Sequence, residues 1–171
     1  DRVIKEVNSR DKKYDVIIFD LGVSSIQLDN ANRGFSFQKD GPLDMNMGTS
    51  STKAYEVVNL YEEKKLADII FKLGEEKFSR RIAKNIVISR KVKLISSTSE
   101  LAKIVTNSIP FSKVKNTRIH PATRTFQALR IYVNDEINEL RTSLKKTINI
   151  LNKDGLLIIV SFQSLEDRIV K

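Results

Sequence analysis

Two short apolar runs, YDVIIF at 14–19 and LLIIVSF at 156–162, set the strongest limit on how this chain can fold. Each is a short, largely apolar run, the pattern of a parallel strand covered on both faces. Ahead of the second run lies the clearest helical pattern in the chain. Phe126, Leu129, Val133, Ile137, Leu140, Leu144, Ile148 and Leu151 recur at steps of three and four, and Asp154-Gly155 then turns the chain. Strand, long helix, strand is a parallel crossover unit. The predicted fold is therefore α/β. One helix suffices for the crossover, so the block at 51–118 reads as an insertion into a domain built from 1–50 and 119–171.

That block is predicted to be helical. A helix over Lys64–Leu73 ends at Gly74, which reads as its C-terminal cap. A second begins near Glu75 and buries Phe78, Ile82 and Ile86, leaving Lys77, Arg81 and Lys84 on its other side. Ser97-Thr98-Ser99-Glu100 has the capping-box pattern and opens a third helix, closed by Pro110. Val3, Ile4 and Val7 also have helical spacing. The chain begins at Asp1 in mid-helix pattern and stops at Lys171 inside another, so it reads as an internal piece of a longer protein.

The 40% hydrophobic and 30% charged composition predicts a packed core rather than disorder. No Cys is present, which excludes disulfides and a thiolate nucleophile, and a lone His120 argues against a zinc site; no metal is expected. No apolar run approaches the roughly 18 residues of a membrane span, and a reducing cytoplasm is compatible with all of this. The net charge of +9 is unevenly placed. Residues 51–118 hold 15 Lys/Arg against 7 Asp/Glu, while the rest of the chain holds 15 against 14. A polyanion partner for the block is the expectation.

In doubly wound sheets, ligands bind beyond the carboxyl ends of the strands. Asp20 and Ser161-Phe162 mark two such ends. Asp20 either accepts hydrogen bonds from a cofactor or merely turns the chain. The segment from there to about Thr52 exceeds the roughly 12–15 residues beyond which an irregular loop is usually functional or disordered, and Phe35, Phe37, Leu43 and Met45 argue against disorder. In an extended segment Phe35 and Phe37 share a face; they either sandwich a base or plug the loop onto the core. Asp40 and Asp44 can accept a proton or hydrogen bond from a substrate amine, or make Asx turns around Gly41-Pro42. His120 is a general base, a phosphate contact or a structural residue at a helix start. Arg80, Arg81 and Lys84 form a basic helix face, either merely solvated or, as the charge of the block favours, a site for RNA, and Arg124 can reach phosphate or the loop acids. No Walker lysine loop, glycine-rich dinucleotide loop or Ser/His/Asp triad is visible.

Six stretches, in order, carry a family resemblance: DLGVSS with Gln27 and LD at 20–29, RGFSF at 33–37, DGPLDM at 40–45, GEEKFSRRIA at 74–83, HPATRTFQALRI with VND at 120–135, and SF with SLEDR at 161–168. Together they resemble the bacterial RsmH (MraW) family, S-adenosylmethionine-dependent methyltransferases acting on cytosine N4 of small-subunit ribosomal RNA. The resemblance implies a Rossmann-like class I methyltransferase domain, here partial, with a helical insertion for RNA recognition. It implies that Asp20 and Gln27 contact S-adenosyl-L-methionine, and that RGFSF, DGPLDM and HPATR surround the active site. Asp44 is the first candidate acceptor for the substrate amine, Ser161 the alternative, and Phe37 or Phe162 would hold the base. The family's glycine-rich cofactor loop would precede Asp1, so the chain by itself is expected to be inactive. Ile26 stands where the family usually has Pro, and Gln163 where it has His. A non-catalytic RNA-binding module is the rival reading, and a monomer or a dimer is equally compatible with the sequence.

Overall fold

The computed structural model describes residues 12–48, 50–114 and 119–171. The helical spacing at Val3, Ile4 and Val7 lies outside the described residues. The chain divides into two compact units, Asp1–Val23 with Asp135–Lys171, and Ser24–Asn134.

In the first unit, β1 (Tyr14–Asp20) and β2 (Leu151–Val160) pair in parallel. Val16 through Asp20 run in register against Leu156 through Val160. The ladder jumps between Tyr14 and Val16, and the excess residues of β2 include Asp154 at φ 64° followed by Gly155. Asn152 Nδ2 donates to Asp15 Oδ1 at 2.7 Å and pins this irregularity. The predicted parallel pair is present, but the expectation that both faces are covered is not met. Val16, Ile18, Leu156 and Ile158 are exposed, Ile18 at 63%. Two strands with α8 (Glu136–Thr147) and α9 (Ser164–Val170) leave alternate apolar side chains in solvent.

The second unit holds most of the buried apolar side chains. A short helix α1 (Ser25–Asp29) and a 3₁₀ turn (Ala31–Arg33) precede the irregular loop. Then come α2 (Ala54–Leu60), α3 (Glu63–Gly74), α4 (Ser79–Val92), α5 (Thr98–Ser108), α6 (Phe111–Val114) and α7 (Thr123–Val133). Leu66, Ile70, Ile82, Ile86, Leu101, Val105 and Leu129 form fully buried positions at helical spacing. The capping box forms as predicted: Ser97 Oγ accepts from the Glu100 N–H, and Glu100 Oε2 accepts from the Ser97 N–H.

Three local predictions need correction. Gly74 does not cap α3; the left-handed residue is Glu75, at φ 51°. Gly74 is required for close approach instead, since a Cβ there would lie 2.4 Å from the Arg124 carbonyl oxygen on α7. Because Glu75 reverses the backbone, α4 begins at Ser79 rather than near Glu75, and Phe78 is its half-buried N-cap. The single long helix expected over 126–151 is two helices. Asp135 is left-handed at φ 49°, and Asn134 ends α7 by turning its side chain onto a distant loop. The break coincides with the boundary between the compact units.

Candidate active site

The loop at 34–48 is irregular in backbone yet closely held. At the start of α2, the Ala54 and Tyr55 N–H groups have no intrahelical partner. They donate to the carbonyls of Asp44 (2.9 Å) and Leu43 (2.7 Å). Glu56 Oε2 accepts from the Lys53 N–H at 2.9 Å. Met45 sits at φ 57°, a region that non-glycine residues rarely occupy, and is fully buried. Its N–H donates to the Arg33 carbonyl at 3.0 Å, and Arg33 Nη2 donates to the Asn46 carbonyl at 2.8 Å. Asn134 completes the clamp. Its Nδ2 donates to the Met45 carbonyl at 2.8 Å, and its Oδ1 accepts from the Met47 N–H at 2.7 Å.

The clamp presents Asp44. Its carboxylate is half-buried, with Oδ1 accepting from the Asn46 N–H at 3.0 Å and Oδ2 paired with Lys53 Nζ at 2.8 Å. Burial, the largest single influence, pushes its pKa up. The Lys53 hydrogen bond, the Asn46 N–H and the charges of Lys53 and Arg33 together outweigh it and hold the carboxyl below its ordinary value. Asp44 is thus an ionised acceptor in a shallow basin of about 440 Å³ lined by Arg33, Asp44, Asn46, Met47, Gly48 and Lys53. Asp40 acts differently. Its Oδ1 accepts from the Ser99 N–H at 3.0 Å while Gly41 and Thr98 exchange hydrogen bonds, so DGP docks on the start of α5 rather than closing a local turn.

Phe35 and Phe37 do not work as a pair. The segment bends at each of them, and their rings have different partners. Phe35 is 7% exposed, with the Arg33 guanidinium 5.5 Å from its ring centre: a loop plug rather than half of a sandwich. Phe37 is half-buried against His120 (4.5 Å between ring centres) and Phe126 (4.8 Å, edge-on). His120 Nδ1 accepts from the Ala122 N–H at 3.2 Å, which fixes the ring at the entry to α7. Arg124 is exposed on α7 and donates to the Glu75 carbonyl at 3.3 Å. Arg80, Arg81 and Lys84 are all exposed on α4, opposite buried Ile82 and Ile86. In α1, Gln27 Oε1 accepts from the Ser24 N–H at 2.9 Å as part of a capping box, which does not use its amide NH₂.

In the first unit, Asp20 closes β1 opposite Val160 and is exposed. The Ser161 hydroxyl lies 3.2 Å from the Gln163 carbonyl and 3.3 Å from Oε2 of the buried Glu166, so its proton is engaged at the start of α9. Phe162 is 79% exposed.

This conjunction of sequence motifs and geometry agrees with one family model, described as the MraW methylase family, which matches residues 1–171. The chain belongs to the MraW methylase family. Its parallel strand pair with flanking helices is a partial Rossmann-like α/β fold. The chain is 62% identical over 162 residues to the "Ribosomal RNA small subunit methyltransferase H" of Rickettsia canadensis, covering 95% of the chain and 52% of that relative. The protein of that name from Rickettsia conorii is also 62% identical, and that from Rickettsia felis 59%, with the same coverage. The chain spans about half the length of the curated relatives it matches. Among the described residues, no helix is long and apolar enough to cross a membrane, and no cluster of His, Asp and Glu could hold a metal ion.

Arg33, Lys53 and Asn134 are the residues that sequence reasoning did not single out. Arg33 and Asn134 lie inside the quoted stretches RGFSF and VND, which was the available signal. Lys53 had none.

Proposed function

We propose that the intact protein transfers a methyl group from S-adenosyl-L-methionine to the exocyclic N4 amine of a cytosine in small-subunit (16S) ribosomal RNA, in the cytoplasm. Family membership and the relatives' names support the reaction. The observation that carries the assignment of roles is the clamped, ionised Asp44 in its open basin.

S-adenosylmethionine, when bound, supplies an electrophilic sulfonium methyl. Asp20 and Gln27 fit contacts to it: one is an exposed carboxylate at a strand end, the other an amide whose NH₂ is left to donate. The cytosine amine is conjugated into its ring and is a weak nucleophile, so alignment matters most. Well-oriented reactants gain about 7–11 kcal/mol in favourable cases. Asp44 would accept an N–H of the amine and fix its direction. A carboxylate below its ordinary pKa is a poor base towards the neutral amine. It suffices once the methyl arrives, because the cationic N-methyl amine is then a strong acid. The proton can pass on to water through the open basin. Phe37, fixed between His120 and Phe126, would stack on the base, with Phe162 a second aromatic candidate. Ser161 is the weaker catalytic candidate, its proton being committed locally. The exposed Arg80, Arg81 and Lys84 would hold RNA phosphates.

The test is single-turnover methyl transfer by the intact protein to small-subunit RNA, comparing wild type with Asp44→Ala and Asp44→Asn. A loss of about 10²–10⁴ in rate is expected for a positioned acid–base group. An unchanged rate in both variants would remove Asp44 from the mechanism. RNA binding by wild type without cofactor binding or methyl transfer would favour the RNA-binding module.

A further inference from the structure

A second concave site lies in the larger unit and shares no lining residue with the Asp44 basin. It is a slot of about 250 Å³ where the chain before α4, the end of α5, α6 and the entry to α7 meet. Its apolar lining includes Phe78, Ile109, Ile119 and Pro121. Its charged lining is Lys77, Lys113 and Arg124 against a single carboxylate, Glu76. Glu76 is buried, and its Oε1 accepts from the Phe78 N–H at 2.8 Å. The ring of His120 also lines the slot, held by the Ala122 N–H and by Phe37.

We propose that this slot takes one unpaired nucleotide of an RNA strand, its base against the apolar lining and its flanking phosphates on Lys77, Lys113 and Arg124. Three features select this occupant. The volume lies below the roughly 300–1,000 Å³ of sites for drug-sized ligands, so it suits one base rather than a whole dinucleotide or cofactor. Apolar and aromatic walls with cations are how unpaired bases and their backbone are held together. The cationic character also continues onto the exposed Arg80, Arg81 and Lys84 of α4, giving the backbone a path beyond the slot. Because Phe37 packs on His120, the slot abuts the loop proposed to hold the target base. The occupant is therefore a nucleotide of the same strand as the target. This inference rests on the proposed action on RNA.

The experiment measures binding of a short fluorescein-labelled single-stranded RNA, and of the same sequence as duplex, by fluorescence anisotropy across a salt series. Lys77→Ala/Lys113→Ala removes two phosphate contacts, so the slope of log K against log salt for the single strand should shrink by about 1.4. Ile119→Asp places a carboxylate in the slot at a 48% exposed position. It should weaken single-strand binding about 5- to 150-fold, the worth of one stacked base, and leave the duplex nearly unaffected. Both changes lie at exposed positions, and unchanged thermal melting would confirm intact folding. A wild-type slope in the double variant, or an unaltered affinity in Ile119→Asp, would overturn the slot assignment while RNA binding itself stands. Displacement of RNA by polyglutamate at equal charge would do the same, by showing only a polyanion surface. A wild-type protein that binds neither RNA would instead sink the underlying reading of RNA as substrate.

Discussion

Asn134 is the residue through which the candidate active-site loop is most exposed to a single change. Its side chain is 5% exposed and makes three hydrogen bonds: Nδ2 to the Met45 carbonyl (2.8 Å), Nδ2 to the Arg130 carbonyl (2.9 Å), and Oδ1 from the Met47 N–H (2.7 Å). In Asn134→Ala the Arg130 carbonyl still accepts from the residue-134 N–H, so little is lost there. The fully buried Met45 carbonyl and the half-buried Met47 N–H lose their partners. Unsatisfied buried groups cost about 1–3 kcal/mol each, with the lower end fitting Met47, which water can reach. The expected loss is about 2–4 kcal/mol, or a Tm drop on the order of 10 °C. Asn134→Asp is the sharper test. It keeps the acceptor for Met47 but sets a carboxylate oxygen against two carbonyls, so it should be worse than Ala despite its matching size. Guanidinium denaturation gives the energies, and hydrogen exchange at the Met47 amide locates the damage. Under the proposed mechanism, the methyl-transfer rate should also fall, with a smaller effect on RNA affinity. A loss below about 0.5 kcal/mol for Ala, within the range of ordinary surface substitutions, would refute the clamp. So would Asp milder than Ala, or Met47 exchange at the wild-type rate.

Three further outcomes follow from the same geometry. Gly74→Ala should destabilise by up to about 2 kcal/mol by thermal melting, because forcing a Cβ against the Arg124 carbonyl outweighs the gain in helix propensity of about 1 kcal/mol. Glu100 accepts from the Ser96 N–H, Lys93 and the Ser97 N–H, which hold its carboxyl at about 2, against an ordinary 4.5. Its contribution is therefore complete above pH 4.5 and is lost as pH falls towards 2, so Glu100→Gln should flatten acid unfolding in that window. Lys53→Ala removes the strongest influence holding the Asp44 carboxyl down and leaves only the Asn46 N–H and the Arg33 charge to oppose burial. The acid limb of the pH–rate profile for methyl transfer should then move to higher pH.

What the sequence made legible was whatever depends on local patterning. Ser97 and Glu100 announce a helix start because their partners lie within one turn, and Ile82 and Ile86 announce a buried face because four-residue spacing is a property of any helix. The parallel pairing of β1 and β2 was readable from two apolar runs and a helix before the second. The helix break at Asn134–Asp135 was not, since the apolar period runs straight through it. What stops α7 is an attachment between positions 134 and 45–47, and periodicity carries no information about partners that far away in sequence. Gly74 misled for a related reason: past an apolar stretch a glycine reads as a cap, whereas here the approach of α7 demands it.

The candidate site divides along the same line. Asp44, Phe37 and His120 could be named as chemistry-bearing types, but whether each is available depends on neighbours that no spacing reveals. Phe35 and Phe37 differ by two positions and look equivalent in sequence. One lies buried near Arg33, and the other packs against His120, which lines the second slot. Asp40 and Asp44 are likewise separated only by Gly41-Pro42-Leu43. Asp40 serves the start of α5, and Asp44 is held in an open basin between Lys53 and the Asn46 N–H. In both pairs one member holds the loop in place, and the other is left able to meet a ligand. A loop that binds and reacts needs both kinds, because an acceptor aligns a weak nucleophile only if its own backbone cannot drift. On the proposed methyl-transfer reading, that is the use of the many internal hydrogen bonds in so irregular a segment. It also places the decisive test of the methyl-transfer reading on Asn134 as much as on Asp44. If the reading is right, loosening the clamp without touching the carboxylate should cost rate.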